Sequence, residues 1–169
     1  MKRKLLTFIS ILVFVFAAIW SFGFNAKAAE KVIYVSTEGK ASNEGTDASP
    51  KDISSALSSA SAGTTVILKE GIYNRRVRFL LTAKGTPDAR IKVMAEEGAR
   101  VVIDFSQMDF NSSNRGIQLQ GDFWYWYGIE VTGAGDNGMY ISGSNNIIEN
   151  CQFYRNRDSG LQLGRGYSE

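Results

Sequence analysis

The sequence of 169 residues contains no histidine, a single cysteine and two prolines. Without histidine, this segment cannot build a Ser-His-Asp triad, a histidine-ligated zinc site or an imidazole acid–base catalyst. Any chemistry in it must depend on carboxylates, lysine, arginine or tyrosine. Because Cys151 has no second cysteine to pair with, no disulfide can form within the chain, and the fold must be stabilised by its own core.

The first residues differ from the rest of the chain. A basic start, Lys2-Arg3-Lys4, precedes a mainly apolar run from Leu5 to Phe24, and Ala26-Lys27-Ala28 follows. This order is typical of a secretory signal peptide, so we predict a leader over residues 1–28, cleavage before Ala29 and an extracellular location. The alternative is a retained membrane anchor, since about twenty apolar residues are just enough to span a bilayer.

Removal of the leader changes the charge balance. The leader carries four cations and no acid, which leaves 15 basic and 17 acidic side chains over residues 29–169. No stripe of lysine or arginine then remains that would indicate nucleic acid as a partner. We expect this portion to be a monomer without membrane contact.

A repeat of 22 residues dominates the C-terminal part. Three segments start with glycine and alternate apolar with polar side chains: Gly116-Ile117-Gln118-Leu119, Gly138-Met139-Tyr140-Ile141 and Gly160-Leu161-Gln162-Leu163. Alternation with period two predicts strands with one buried face. Twenty-two residues of this pattern suit one coil of a solenoid that buries its apolar face against the coils above and below. We therefore predict an all-β, right-handed parallel β-helix with coils of about 22 residues and two strands per coil.

Single positions in the repeat have predicted roles. Cys151 should lie in line with Ile129, one coil away, as a small buried hydrophobe. The glycine before each strand suits a tight turn or a positive φ. The chain stops just after a strand and shows no second cap, so we expect residues 29–169 to be the incomplete, C-terminally truncated N-terminal part of a β-helix domain.

The upstream residues are compatible with the same solenoid. Residues 52–62 predict a short capping helix, with Asp52 as its N-cap and Gly63 as its stop, which should cover the N-terminal end. Further strands are predicted over residues 32–35, 64–68, 71–73, 90–95 and 101–105.

Several runs of residues carry a family resemblance. Residues 133–146 (GAGDNGMYISGSNN) and 147–166 (IIENCQFYRNRDSGLQLGRG) resemble the pectate lyases of polysaccharide lyase family 9. Tyr34-Val35-Ser36, residues 63–66 and Gly71-Ile72-Tyr73 look like the N-terminal cap region of many secreted β-helix polysaccharide enzymes. Together the matches cover residues 31–169.

The resemblance implies calcium-dependent β-elimination on polygalacturonate. In that chemistry Ca²⁺ bridges enzyme aspartates and a uronate carboxylate and acidifies the neighbouring C5–H, from which a lysine removes the proton. The family's calcium-binding aspartates and lysine base lie in coils after the Arg165-Gly166 match. The resemblance therefore assigns no catalytic or metal-binding residue here, and we expect the calcium site beyond Glu169 and an inactive fragment.

Side chains near the C-terminal coils are candidates for substrate binding. Arg165 and Arg157 suit uronate carboxylates, which arginine binds through two parallel hydrogen bonds. Tyr140 suits contact with a sugar ring. Five aromatic residues in a row, Phe123–Tyr127, cannot all point inward on a strand, so some must face outward, where they either contact sugar or fill corners of the coils.

Asp136 and Asp158 occupy the same phase of the repeat and should stack about 5 Å apart. Two stacked carboxylates repel each other, so a Ca²⁺ ion between them is one interpretation. The favoured interpretation is that both are turn residues that accept backbone hydrogen bonds, with Arg155 or Arg157 as a local counter-charge.

The function that these observations favour is that of a secreted pectate lyase, represented here by its N-terminal coils. One alternative is a non-catalytic β-helix that binds cell-wall polysaccharide or acts as an adhesin. Another is a β-helix lyase for a different uronate polysaccharide, such as alginate or a glycosaminoglycan.

Overall fold

The computed structural model describes residues 30–164; the predicted leader and the candidate Arg165 lie outside this range. Thirteen strands and one short helix follow one another along the described chain. They are β1 Lys31–Val35, α1 Ile53–Ser58, β2 Thr64–Leu68, β3 Gly71–Asn74, β4 Phe79–Leu81, β5 Ile91–Ala95, β6 Val101–Asp104, β7 Ile117–Leu119, β8 Trp124–Tyr127, β9 Ile129–Thr132, β10 Met139–Ile141, β11 Ile147–Glu149, β12 Gln152–Tyr154 and β13 Leu161–Leu163.

The strands form three parallel sheets. Sheet A has the order β1-β2-β5-β8-β11, sheet B the order β3-β6-β9-β12, and sheet C the order β4-β7-β10-β13. From β2 onward the chain visits A, B and C in turn, and every later coil adds one strand to each sheet. The predicted parallel β-helix is confirmed. The expectation of two strands per coil is wrong. In the last two coils the strands β8 and β11 belong to sheet A, which the repeat did not reveal.

The 22-residue register is confirmed in the last coils. Ile117 pairs with Met139, and Met139 pairs with Leu161, in parallel register within sheet C. The period is longer upstream, where Val66 pairs with Val93 and Val93 with Trp126. The extra residues lie in the turns, the longest of which runs from 105 to 116. The strands therefore stay in register while the coil length varies.

Each of the last two coils bends at residues with positive φ. In the coil that contains β8 these are Phe123 (φ 58), Gly128 (φ 71) and Gly133 (φ 74). The stacked positions one coil later are Asn145 (φ 58), Asn150 (φ 51) and Arg155 (φ 53). Glycine and asparagine tolerate this left-handed conformation well, whereas phenylalanine and arginine adopt it at a cost.

The repeated glycines have a different role from the predicted one. Gly116, Gly138 and Gly160 are not among the residues with positive φ. Gly116 and Gly138 are required by the close approach of stacked backbones: a Cβ on Gly116 would lie 2.8 Å from the carbonyl oxygen of Gly138, and a Cβ on Gly138 would lie 2.6 Å from that of Gly160. Any larger residue would push neighbouring coils apart at this point. A Cβ on Gly160 would instead lie 2.7 Å from the Cβ of Phe153.

The interior of the solenoid is a continuous apolar column. Its largest fully buried side chains are Trp124 and Trp126, which point inward from the same strand with ring centroids 6.5 Å apart. Cys151 is half-buried, packs against this core, and burial raises the pKa of its thiol. This agrees with the predicted role of a small hydrophobe, since a raised pKa disfavours the reactive thiolate.

Helix α1 lies at the N-terminal end of the stack, as predicted. It contacts β1 and β4, the first strands of sheets A and C, as well as β2, and buries Ile53, Ala56 and Leu57. The Asp52 side chain accepts a hydrogen bond from the backbone N–H of Ser55 at 3.0 Å, which confirms the N-cap. The helix ends at Ser58 rather than near Gly63, because the chain then turns, with the Thr64 hydroxyl accepting from the N–H of Ser61.

Candidate functional site

Sheet C presents a mixed polar face to the outside. Its outward column contains Leu80, Gln118, Tyr140 and Gln162, which pair in sequence across β4, β7, β10 and β13. In β4, β7 and β10 the neighbours of each in its own strand are buried in the core, as period-two alternation requires. Turns of variable length border this sheet on both sides, including residues 105–116 before β7 and 82–90 after β4. By contrast, Gly128 alone joins β8 of sheet A to β9 of sheet B.

An arginine lies against the predicted Tyr140. The guanidinium of Arg115 is 3.8 Å from the centroid of the Tyr140 ring, and its Nε is 3.6 Å from Oδ2 of Asp136. The Arg115 side chain is 28 % exposed and that of Asp136 13 %. This geometry holds a partly buried cation over the tyrosine ring and beside an acidic side chain. Sequence reasoning did not find Arg115.

The other predicted binding residues have separate surroundings. Arg157 is exposed in the turn before β13, with its guanidinium 4.5 Å from the centroid of the Phe110 ring. Phe110 belongs to the long turn between β6 and β7 and is itself 71 % exposed. The structure therefore places Arg157 and Tyr140 in two different arginine–aromatic contacts. Both arginines nevertheless lie in turns that lead from sheet B to sheet C.

Asp136 and Asp158 are stacked as predicted, with the N–H of Asp158 donating to the carbonyl of Asp136 at 3.2 Å. The side chain of Asp158 accepts a hydrogen bond from Asn137 at 3.2 Å. The counter-charge of Asp136 is Arg115, so the expectation of Arg155 or Arg157 in that role is wrong. Within residues 30–164 there is no group of three or more potential metal ligands, and the described residues do not fit a calcium site.

The aromatic run divides between the inside and the outside, as period two requires. Trp124 and Trp126 are buried, whereas Tyr125 and Tyr127 lie on the outer face of sheet A with ring centroids 6.2 Å apart. The Tyr125 hydroxyl donates to Glu149 at 3.0 Å, and burial together with this carboxylate raises its pKa. The outward tyrosines therefore belong to a different face from Tyr140.

Sheet B carries a charged cluster that sequence reasoning also missed. Arg100 forms two hydrogen bonds to the Glu130 carboxylate, at 2.8 Å and 2.7 Å, and the Tyr154 hydroxyl donates to the same carboxylate at 2.8 Å. Arg100 lowers the pKa of Glu130, while donation to that anion raises the pKa of Tyr154. Arg100 precedes the 22-residue repeat and lies 30 residues before Glu130, so the pattern gave no signal for this pair.

The chain is similar to pectate lyases in sequence and in structure. Residues 33–169 match the family model described as "Pel9A-like, right handed beta helix region". Pectate lyase L of Paenibacillus polymyxa is 44 % identical over 135 residues, covering 79 % of this chain and 30 % of that protein. Pectate lyase L of Dickeya chrysanthemi is 34 % identical over 150 residues, covering 83 % and 35 %.

Two solved structures resemble the fold. The crystal structure of pectate lyase Pel9A matches with a TM-score of 0.65 and 33 % identity over 80 % of this chain and 36 % of that one. A rhamnogalacturonan lyase matches with a TM-score of 0.55 at 16 % identity, over 79 % of this chain and 53 % of that one, a likeness of fold alone. The chain spans about a third of the length of the Pel9A structure and of the Dickeya relative.

Proposed function

The chain belongs to the Pel9A-like right-handed β-helix family, and from this premise we propose that it is the N-terminal part of a secreted lyase that cleaves polygalacturonate. The observation that carries the proposal is the match to pectate lyases along the whole described stack of coils. The leader-like residues 1–28 support secretion. In the described residues, no helix is long and apolar enough to cross a membrane.

The face of sheet C is the proposed location of substrate contact in these coils. Arg115 offers a guanidinium held in place by Tyr140 and Asp136, and such a planar cation can bind a uronate carboxylate through two hydrogen bonds. Arg157 offers a second, more exposed guanidinium above Phe110. Arg165 and Tyr140 complete the proposed set, with Tyr140 acting both as a support for Arg115 and as a ring surface for the sugar.

The calcium requirement of the whole protein is part of the same proposal, but residues 30–164 offer no cluster of ligands for the ion. Their proposed contribution is to bind and orient the acidic polymer along the stack.

The test requires the full-length protein. Incubation with polygalacturonate and Ca²⁺ should raise the ultraviolet absorbance as unsaturated uronate ends form, and EDTA should abolish the rise. The Arg115→Ala variant should raise KM about tenfold, the size expected for loss of one charge-assisted contact. Lys92→Ala is the control, because this lysine lies on sheet A, where its Nζ is 3.5 Å from the Glu30 carboxylate.

A full-length protein that binds polygalacturonate but produces no unsaturated ends would refute the lyase proposal. It would favour the non-catalytic polysaccharide-binding β-helix instead. Product formation from alginate but not from polygalacturonate would move the assignment to another uronate substrate.

A further inference from the structure

The outer face of sheet B contains a groove that lies next to the proposed substrate-contact face of sheet C. It has a volume of about 450 Å³ and lies beside the turns that lead to sheet C. Ile72 and Val102, which pair across β3 and β6, form an apolar floor. The groove is bordered by Arg100, Phe110, Tyr154 and Arg155.

The charges around the groove do not cancel. Arg100 is neutralised by its two hydrogen bonds to Glu130, which also accepts from Tyr154. Asp104 at the groove accepts a hydrogen bond from the backbone N–H of Ser106 at 2.7 Å. Arg155 is exposed and forms no ion pair within 4.0 Å with any residue between 30 and 164.

A second cation approaches the same groove. The guanidinium of Arg157 lies 4.5 Å from the ring of Phe110, which forms part of the border. Arg155 and Arg157 carry two positive charges against the one carboxylate of Asp104 that no lysine or arginine between residues 30 and 164 pairs, so the net available charge is positive. It lies beside two aromatic rings and an apolar floor. This combination matches a ligand that has both an anionic group and a hydrophobic ring face.

The backbone at Arg155 strengthens the case for a role of its side chain. Thr132 pairs with Tyr154, so Arg155 stacks on Gly133 of the preceding coil. Gly133 has φ 74 and Arg155 has φ 53. Gly133 adopts this left-handed conformation without strain. Arg155 occupies the stacked position one coil later in the same conformation, although residues with a side chain disfavour it. Nothing in the stacking of the coils requires an arginine at this corner.

We propose that this groove is a second binding site for a uronate unit of an acidic polysaccharide. Arg155 binds the carboxylate, and the sugar ring lies between Phe110 and Tyr154 over Ile72 and Val102. The proposal takes its substrate class from the proposed function, and it adds a site on sheet B that adjoins the face of sheet C at Arg157 and Phe110. A polymer bound in the groove stays close to the face of sheet C after one cleavage and before the next.

The experiment measures binding of trigalacturonate to the full-length protein by titration calorimetry, in EDTA so that no cleavage takes place. The wild type should bind at the groove with an affinity that falls as salt rises, and a neutral trisaccharide such as maltotriose should not bind there. Arg155→Asn and Arg155→Gly remove the charge but suit a positive φ. Each should weaken the groove site about tenfold or more, while the melting temperature stays equal or rises.

Arg155→Lys keeps the charge without the planar fork, and it should weaken the site less than Arg155→Asn. Arg90→Asn is the matched control. Arg90 also stacks on an aromatic ring near a coil corner, Phe123 at 5.5 Å, but it belongs to the edge of sheet A. Its substitution should leave trigalacturonate binding unchanged.

Unchanged affinity and stoichiometry in Arg155→Asn would overturn the inference, as would equal binding of maltotriose. The outcome is separable from that of the proposed function. If the full-length protein cleaves polygalacturonate normally while Arg155→Asn has no effect on binding, the groove proposal fails alone. If it produces no unsaturated ends but loses trigalacturonate binding in Arg155→Asn, the groove stands and the lyase proposal fails.

Discussion

The two tryptophans of β8 provide a matched pair for testing how buried polar groups contribute to stability. Both are fully buried, and their rings lie 6.5 Å apart. The Nε1 of Trp124 donates to the carbonyl oxygen of Ala83 at 2.7 Å, whereas the Nε1 of Trp126 has no hydrogen-bond partner among residues 30–164. Substitution by phenylalanine removes the N–H and a similar volume at each position.

The two substitutions should therefore differ in cost. At both sites the smaller ring leaves a cavity and loses apolar contact, at a cost of about 1–3 kcal/mol. Trp124→Phe also leaves the Ala83 carbonyl without its donor, which adds about 1–3 kcal/mol. Trp126→Phe instead removes a buried donor without a partner and recovers a similar amount. We expect Trp124→Phe to lower the free energy of unfolding by about 2 kcal/mol or more beyond Trp126→Phe.

Urea unfolding followed by circular dichroism measures this difference, provided that the denaturant slope is the same in all three proteins. Equal losses in the two variants, or a larger loss in Trp126→Phe, would refute the reasoning. Such a result would mean that the hydrogen bond to Ala83 contributes nothing to the stability of the stack.

Two other substitutions test the cap and the charged cluster on sheet B. Asp52→Ala should lower the free energy of unfolding by about 1 kcal/mol through loss of the N-cap, and Asp52→Asn should keep most of it; equal urea midpoints for all three proteins would contradict the capping role. Arg100 lowers the pKa of Glu130 in the folded protein. The ionised carboxylate therefore stabilises the fold at pH values above its unfolded-state pKa of about 4.3, and this stabilisation is lost as the pH falls through the lower folded-state pKa. Glu130→Gln should therefore be less stable than wild type at pH 7, and the gap in urea midpoints should close toward pH 3; a gap independent of pH would contradict the linkage.

The sequence predicted the parts of the fold that repeat. The glycine-led segments gave the column of Ile117, Met139 and Leu161 and its register, because each coil must place its apolar side chains over those of its neighbour. The capping helix was also predictable, since Asp52 is a local signal. Two strands, β4 and β11, were not recognised. Ile147–Glu149 is only three residues long, and its side chains are exposed or half-exposed, so it shows little hydrophobic alternation.

The candidate site was less predictable, because its contacts join turns of unequal length. Tyr140 was found from its place in the repeat. Its partner Arg115 is positioned by the Tyr140 ring and the Asp136 carboxylate, which lie more than twenty residues away in sequence, so no local pattern encodes these contacts. Arg100 and Glu130 meet because the coil between them is longer than 22 residues. Arg155 was considered only as a counter-charge, since its left-handed backbone becomes visible only when it is aligned with Gly133.

The short connection between sheets A and B has a consequence for how such a protein can change. It is a single residue at Gly128 and at most five residues, 96–100, in another coil, and the strands of sheets A and B remain in register. The connections on either side of sheet C already differ in length from coil to coil, and the strands remain aligned. Mutations that lengthen, shorten or replace the turns on either side of sheet C can therefore change the depth and shape of the surface around that sheet while its strands stay in register.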